Sequence, residues 1–322
     1  MLVRVDEILK KFQKTMNTKI KVVGVGGSGS NAVSRMAKCK IKGVELIAVN
    51  TDAQDLVRAN AHLKLRIGRK ATQGLGTGMN PEIGRKSALE NLGEIADMLK
   101  GSDMIFIACG LGGGTGSGAA PVIAEVAKES GALTLAVVTK PFSFEGQVRQ
   151  RIAENGIRRL KEKVDTLVVI SNDRLLSTLD PNVSLLSAFW ICDDILRQAV
   201  QGVSDLISLP GIINVDFADV RAIMNNAGSA LFGVGRAQGE GRAEKAALSA
   251  INSPLLDLSP KGAKGVLFNV SGGKDISLAE IDQVAKVITQ EINPDARIIF
   301  GAVQDEKLKK GEIKVTVIAT GF

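Results

Sequence analysis

Three glycine-rich runs are the places where this chain could do chemistry on a phosphate. The first, Gly24 to Gly29 (GVGGSG), follows a β-branched apolar run and opens a helical pattern. Glycines there let the backbone turn sharply and approach a phosphate, whose charge a helix N-terminus stabilises. Asp52 ends the next apolar run, where a dinucleotide-binding fold sets a carboxylate on a ribose hydroxyl. A tight strand-to-helix turn is the plain structural alternative for this run. The second, Gly110 to Gly118 (GLGGGTGSG), holds six glycines with Thr115 and Ser117. It leaves many backbone N–H groups free to form an anion-binding nest. Glycine costs about 0.5–1 kcal/mol relative to alanine in regular structure, so a loop without a ligand explains the run poorly. The third, Gly74 to Gly78 (GLGTG), also precedes a helical stretch. No Gly-Lys-Ser/Thr ending of a P-loop is present, so backbone amides and hydroxyls would hold the phosphates.

Acidic and thiol groups say less by themselves. Asp216 and Asp219 are spaced i, i+3, which puts both carboxylates on one helix face. They read equally as a helix cap and its neighbour. Asp193, with Asp194 beside it in a helical stretch, reads as a solvated surface acid. His62 is the single histidine and has no cysteine partner nearby, which favours a structural role. Cys39, Cys109 and Cys192 lack metal-ligand spacing and are odd in number, so buried, reduced thiols are expected.

The elements that must position these residues follow from hydrophobic periodicity. Val5, Ile8, Leu9, Phe12 and Met16 predict an amphipathic N-terminal helix, expected to dock on the body of the protein. Strands are predicted at 19–25, 44–49, 103–108, 133–139 and 166–171, with helices at about 29–38, 81–100, 115–129 and 145–163. The pair Asn80 and Pro81 suits the start of the second of these helices. This alternation implies a parallel sheet with helices on both faces. The three glycine loops would then lie at the carboxyl ends of its strands around one crevice, where open α/β sheets bind ligands. A long helix at 184–208, ended by Pro210 and Gly211, leads to a second α/β unit. That unit has helices at 216–226, 240–251 and 277–291 and strands at 228–236, 265–271, 297–303 and 312–320.

Composition bounds the function. The 322 residues suffice for two domains, and 45% hydrophobic with 23% charged residues is globular, not disordered. Aromatic residues are 3%, without tyrosine, which leaves no stacking platform for single-stranded nucleic acid. The net charge of +7 is spread along helical stretches such as 149–163, and no nucleic-acid role is expected. No apolar run approaches the roughly 18 residues of a membrane span, and residues 1–19 lack a signal-peptide core. A cytoplasmic protein is expected.

The run Gly112 to Gly118 resembles the signature loop of the tubulin/FtsZ superfamily. Asn50-Thr51-Asp52, the run Pro141 to Gly146 (PFSFEG), Asn172-Asp173 and the run Asn214 to Arg221 (NVDFADVR) also stand where FtsZ has them. The match runs in order from about residue 19 to Phe322 and is closer to bacterial and plastid FtsZ than to tubulin. The resemblance implies a Rossmann-like parallel-sheet GTPase domain at 19–183 and a central connecting helix at 184–209. A smaller α/β C-terminal domain would follow at 210–322, with residues 1–18 as a separate N-terminal helix. It further implies that Gly26, Gly27, Ser28, Gly29, Ser30 and Asn31, with Gly112, Gly113, Gly114, Thr115, Gly116 and Ser117, hold the phosphates of GTP or GDP. Thr77 and Gly78 would lie near the γ-phosphate, Glu145 and Arg149 on the ribose side, and Asn172 within the nucleotide site. Phe189 would pack on the base and Asp193 would read it, since a carboxylate accepts from guanine N1–H and N2–H whereas adenine has no matching donor pair. Asp216 and Asp219, shaped by Asn214, would project into the nucleotide pocket of the next subunit and position the attacking water. Mg²⁺ is expected on the β- and γ-phosphate oxygens rather than on the protein.

The implied function is a cell-division GTPase that polymerises head-to-tail into filaments of a ring at the division site. Ser28, Thr77, Trp190 and Cys192 depart from what the family usually has, as does the positive charge. Family members continue into a linker and a short peptide that binds membrane tethers, which these residues do not include. Either these residues are a piece of a longer chain or the protein lacks that tail, and in the second case the N-terminal helix or the positive charge is expected to supply attachment. Two other readings stay open: a dinucleotide-binding oxidoreductase, and a nucleotide-bound polymer with little turnover.

Overall fold

The computed structural model describes residues 18–41, 43–176, 180, 182–208, 211–253, 261–305 and 308–322. The expected N-terminal helix and Pro210 lie outside the described residues. In the first half, β1 (Ile20–Val25), β2 (Val44–Asn50), β3 (Leu63–Arg66), β4 (Met104–Gly110), β5 (Leu133–Lys140) and β6 (Thr166–Ser171) are all parallel. Apart from the edge strand β3, their β-branched and apolar residues are buried on both faces, as a sheet covered by helices on each side requires. In the second half, β7 (Gly228–Gln238), β8 (Gly265–Gly272) and β9 (Arg297–Gln304) share one direction, and β10 (Glu312–Thr320) runs against β7 and β8. Parallel pairing of β6 with β7 joins the halves into one ten-stranded sheet, ordered β3-β2-β1-β4-β5-β6-β7-β10-β8-β9.

Helix α1 (Gly26–Lys38) follows β1. Helices α2 (Ala53–Arg58), α3 (Arg69–Thr72), α4 (Pro81–Glu90) and α5 (Leu92–Leu99) lie between β2 and β4. The single helix expected at 81–100 is therefore two. The Asn91 side chain accepts from the Gly68 N–H at 2.9 Å and donates to Glu94 at 2.6 Å, competing with the helix ladder where the break falls. Strand β3, with sequence LKLR, and the short helices around it carry too little apolar periodicity to be read from sequence. Helix α6 (Gly114–Glu129) follows β4, and α7 (Gln147–Lys161) precedes β6.

After the short α8 (Asn172–Leu176) comes the long α9 (Leu185–Ser208). Ala188, Cys192, Ile195, Leu196, Ala199, Val203 and Leu206 form its buried stripe. The stripe belongs to a core cluster that includes Val22 and Phe106 from the first half and Phe232, Leu267 and Ile318 from the second. The connecting helix is therefore a shared interior wall. At about 1.5 Å per residue its 24 residues span roughly 36 Å. It ends with Ser208 against Gly43, at the amino-terminal end of β2. Helices α10 (Phe217–Met224), α11 (Arg242–Ile251) and α12 (Leu278–Gln290) complete the chain.

Helices α4 and α6 pack through glycines: a Cβ on Gly118 would lie 2.0 Å from the Pro81 carbonyl oxygen. Gly118→Ala should therefore force the helices apart and cost about 1–3 kcal/mol. Gly93→Ala, in α5 where nothing lies within 4 Å, should add roughly 0.5–1 kcal/mol. Urea unfolding of the two variants should shift in opposite directions; movement in the same direction would refute this packing account.

Candidate functional site

Strands β1 and β4 are hydrogen-bonded neighbours that end together, and the helices after them start at the same edge. This is the point where the strand order reverses, since β2 lies on one side of β1 and β4 on the other. Neither α1 nor α6 has a side-chain N-cap. Their first-turn amides face a cavity of about 420 Å³, lined by Gly26, Gly27, Gly113, Gly114 and Gly116 among others. Gly26 has φ +73°, and a Cβ there would stand 3.2 Å from the Gly116 nitrogen, so the two loops meet backbone to backbone. A Cβ on Gly114 would lie 2.3 Å from Thr77 Oγ1 and 2.7 Å from the Asn80 nitrogen. The third glycine loop is thereby packed against the second. Thr115 Oγ1 links them further, 2.7 Å from Thr51 Oγ1 and 3.4 Å from Thr77 Oγ1. Two converging helix N-termini with small residues and hydroxyls form a cradle for a polyphosphate.

The far wall suits a nucleoside. The Phe142 ring is buried and meets Phe189 edge-on at 5.3 Å. Glu145 accepts from the Phe142 N–H at 2.9 Å and pairs with Arg149 at 2.7 Å. Asn172 lines the cavity, and its buried Oδ1 has no hydrogen-bond partner within the protein, a cost that a ligand donor would remove. Asp193 is buried, not a solvated acid, and also lines the cavity. Ser28 Oγ donates to its Oδ1 at 3.3 Å, and Arg35 Nε to its Oδ2 at 3.4 Å. Burial raises its pKa to about 6, while Arg35 and Ser28 pull it down. Asp194, by contrast, is taken up by Arg197 and Gln198 on its own helix.

A family model for the GTPase domain of the tubulin/FtsZ family matches residues 19–180, and one for the C-terminal domain of the FtsZ family matches 228–322. An empty FtsZ dimer from M. jannaschii is 47% identical, with a TM-score of 0.94 over 99% of this chain and 93% of that one. The chain belongs to the FtsZ family. Its fold extends to CetZ1 of Haloferax volcanii, a GDP-bound monomer, at 20% identity and TM-score 0.81 over 95% of this chain and 94% of that one. CetZ2 of the same organism, a GTPγS-bound protofilament, superposes at TM-score 0.79 with 21% identity over 94% and 92%. As an FtsZ-family GTPase the protein binds GTP and GDP and hydrolyses GTP.

The structure brings most of the residues singled out in the sequence to this one cavity. Gly26, Gly27, Ser28, Asn31, Thr77, Gly113, Gly114, Thr115, Gly116, Glu145, Arg149, Asn172, Phe189 and Asp193 line it. Five do not. Gly29 packs on the Ala108 carbonyl, and Ser30 is buried beneath the loop. Ser117 turns inward to accept from the Gly112 N–H at 2.9 Å, which occupies both residues within the loop. Gly78 lies beyond Thr77 in open space, with φ +54°. Among those that do line it, Ser28 also turns its hydroxyl to Asp193. Gly110 and Leu111 of the second glycine run line it as well, and Val25, Thr139, Pro141 and Cys192 do so without having been predicted as site residues. Most of these lie at strand ends, whose depth only the assembled sheet decides.

The remaining candidates resolve differently. Asp52 caps α2, accepting from the Gln54 and Asp55 amides, and is not among the lining residues. The carboxylate expected of a dinucleotide site is thus engaged elsewhere. His62 is structural: its Nδ1 accepts from the Leu46 N–H at 2.8 Å. Cys109 and Cys192 are buried with thiol pKa values pushed up to about 12, but Cys39 is exposed, contrary to expectation. Among the described residues no helix is long and apolar enough to cross a membrane, and no cluster of three or more His, Cys, Asp or Glu could hold a metal.

Asn214, Asp216 and Asp219 lie outside the cavity. Asp216 caps α10, accepting from the Asp219 N–H at 2.8 Å, and Asn214 accepts from the Gly211 N–H at 2.7 Å. Helix α9 carries the chain from Asp193 at the cavity to Ser208 beside Gly43, at the opposite end of the parallel strands. The C-terminal end of α10 is held there too, where Thr166 Oγ1 at the start of β6 donates to the Met224 carbonyl at 2.5 Å. Eight residues of β5 alone represent about 25 Å of strand between the two ends.

Gly114→Ala should expel the Thr77 loop from the cavity and weaken guanine-nucleotide binding at least tenfold, with unchanged circular dichroism. Tight binding of GDP by that variant in calorimetry would contradict the close packing of the two loops.

Proposed function

We propose that this protein is a cytoplasmic cell-division GTPase that polymerises head-to-tail into filaments of a ring at the division site. GTP is hydrolysed where the Asp216 and Asp219 carboxylates of one subunit enter the nucleotide cavity of the next. One observation carries this reading: within a single chain those carboxylates and the cavity lie at opposite ends of the sheet. The two carboxylates that do line the cavity, Glu145 and Asp193, are engaged by Arg149 and Arg35. Neither is free to orient a water at the phosphate end, so a complete site requires a second copy. A contact of one end with the other is heterologous and builds open filaments. Exposed apolar side chains on the segments at the cavity, among them Leu75, Phe144, Val148, Leu186 and Trp190, and Ile212 beside Asn214 at the other end, suit such a contact. The solved FtsZ dimer and CetZ2 protofilament are in keeping with self-association.

In this reading the amides of Gly26, Gly27 and Gly113 to Gly116 cradle the phosphates, with Thr77 at the γ end. Glu145 and Arg149 hold the ribose side, Phe189 packs on the base, and Asn172 supplies its unpaired oxygen. Mg²⁺ bound through the phosphate oxygens would neutralise charge developing between the β- and γ-phosphates. Asp216 and Asp219 orient the attacking water and accept its proton. The chain divides into a GTP-binding domain at 19–183, a central helix at 184–209 and a C-terminal domain at 210–322. Tethering and division proteins are its expected partners besides itself, and no nucleic acid is expected.

Asp193 must be ionised to accept both guanine donors. Its pKa of about 6 in the free protein lies above that of an ordinary aspartate, so the affinity is complete above pH 6 and lost below it. GDP affinity should fall about tenfold per unit as pH drops under 6, while the nucleotide-free fold gains stability over the same interval. A flat affinity between pH 5 and 7.5 would exclude Asp193 as the base reader.

With GTP and Mg²⁺, phosphate release per subunit should appear only above a threshold protein concentration, together with light scattering. Asp219→Ala should still scatter but lose about 10²-fold or more in turnover. Activity per subunit that is constant at all concentrations would mean a self-contained site. Scattering without phosphate release would identify a filament former with little turnover.

A further inference from the structure

Beside Asp193 stands a group that the nucleotide reading has not used. Arg35 lies on α1 one turn beyond Asn31, a residue that lines the cavity. Its guanidinium carbon sits 4.7 Å from the centroid of the Trp190 ring, and its Nε meets Asp193 Oδ2 at 3.4 Å. Trp190 and Asp193 are three residues apart and so share one face of α9. The Arg35 side chain is therefore held between ring and carboxylate, mostly out of solvent.

We infer that Arg35, braced by Trp190, is the positioning residue that makes this site select guanine over adenine. The inference rests on the reading of Asp193 as the group that meets the base. An ionised carboxylate offers about four acceptor positions, two on each oxygen. Ser28 takes one on Oδ1 and Arg35 one on Oδ2. Both donors come from α1, so they pin the carboxylate plane and leave one acceptor on each oxygen. Two acceptors side by side complement the paired N1–H and N2–H donors of guanine. A protonated carboxyl instead presents one donor and one acceptor, the pattern that adenine's N6–H and N1 complement. Selection of the base thus depends on what keeps the buried carboxylate charged, and Arg35 is the cation in contact with it.

The other titratable groups near Asp193 do not replace Arg35. Cys192 on α9 is a neutral thiol, and Asp194 is a like charge already paired with Arg197. Across the cavity Glu145 and Arg149 pair with each other. Trp190 adds its ring face to the cation, an attraction that grows as water is excluded.

The test is calorimetric binding of GDP and ADP to the full chain between pH 5.5 and 8, for the parent and for Arg35→Met, Arg35→Lys, Trp190→Leu and Asp193→Asn. Arg35→Met should weaken GDP at least tenfold at pH 7 without weakening ADP, and should move the midpoint of the GDP pH profile upward. Arg35→Lys, which returns the charge without the planar fork, should recover part of both, and Trp190→Leu should fall between parent and Arg35→Met. A parental GDP-to-ADP ratio and midpoint in Arg35→Met, alongside a collapsed ratio in Asp193→Asn, would overturn the role of Arg35 alone. An unchanged ratio in Asp193→Asn would remove the base-reading assignment on which it rests. Should Arg35→Met not fold, a parental ratio and midpoint in Trp190→Leu would overturn the inference.

Discussion

The pairing of β1 with β4 is the constraint on which the rest of the site depends. Because these neighbouring strands run in the same direction and stop together, the helices that follow begin side by side and point their free amides at the same space. Two partial positive charges brought this close favour a polyanion between them. The approach is possible only because both loops lack side chains where they touch. The Cβ that Gly26 lacks would crowd the Gly116 nitrogen, and that of Gly114 would collide with Thr77. The same requirement runs back into the scaffold, where Gly118 lets α4 lie against α6 and so sets the position of the third loop.

The wall proposed to meet the nucleoside is built by different means. It is made of side chains from separated elements: Glu145 and Arg149 from the loop and helix after β5, Asn172 from the start of α8, and Phe189 and Asp193 from α9. Their arrangement depends on α9 packing along α1, which is a product of the shared core. A wall of this kind tolerates exchange of individual residues more easily than the glycine cradle does. Ser28 shows how the two halves meet, since it belongs to the cradle by backbone and to the base wall by its hydroxyl.

This division also explains what the sequence made legible. The glycine loops could be read because their requirement is local: free amides after a strand have few uses other than an anion. The parallel strands could be read because burial on both faces makes them continuously apolar. What escaped depended on contacts distant in sequence. Asp193, which only the family resemblance singled out, looks by its own chemistry like a surface acid beside Asp194, and the approach of α1 and Arg35 is what separates them. Asn91 gave no sign of breaking a helix, because its partner Gly68 is far back in the chain. Ser117 and Ser30, small residues in the phosphate loops, were indistinguishable from their neighbours until the fold turned them inward. Thr139 and Pro141 entered the cavity wall because β5 ends level with β4, a matter of register. The resemblance to a known family, carried by several ordered motifs, supplied roles for residues whose chemistry alone was ambiguous.

The distance between cradle and carboxylates gives the proposed reaction its dependence on assembly, and the structure also shows how that distance is held. Helix α9 is held in the core by a buried stripe from Ala188 to Leu206, so the cavity end and the far end cannot drift independently. At the far end α10 is fixed from both sides. Its approach is tied by the bridge between Ile213 and Ala302 on β9, and its exit by Thr166 and the buried Asp165, which Lys128 meets at 3.2 Å. The orientation of Asp216 and Asp219 is therefore set by both halves of the sheet rather than by a loop of its own. Phosphoryl transfer asks for placement more than for reactive groups, and a misplacement of about 1 Å can cost 10²-fold. A carboxylate pair anchored in this way would arrive at a neighbour's phosphates already oriented, so that docking of subunits and completion of the site are one event.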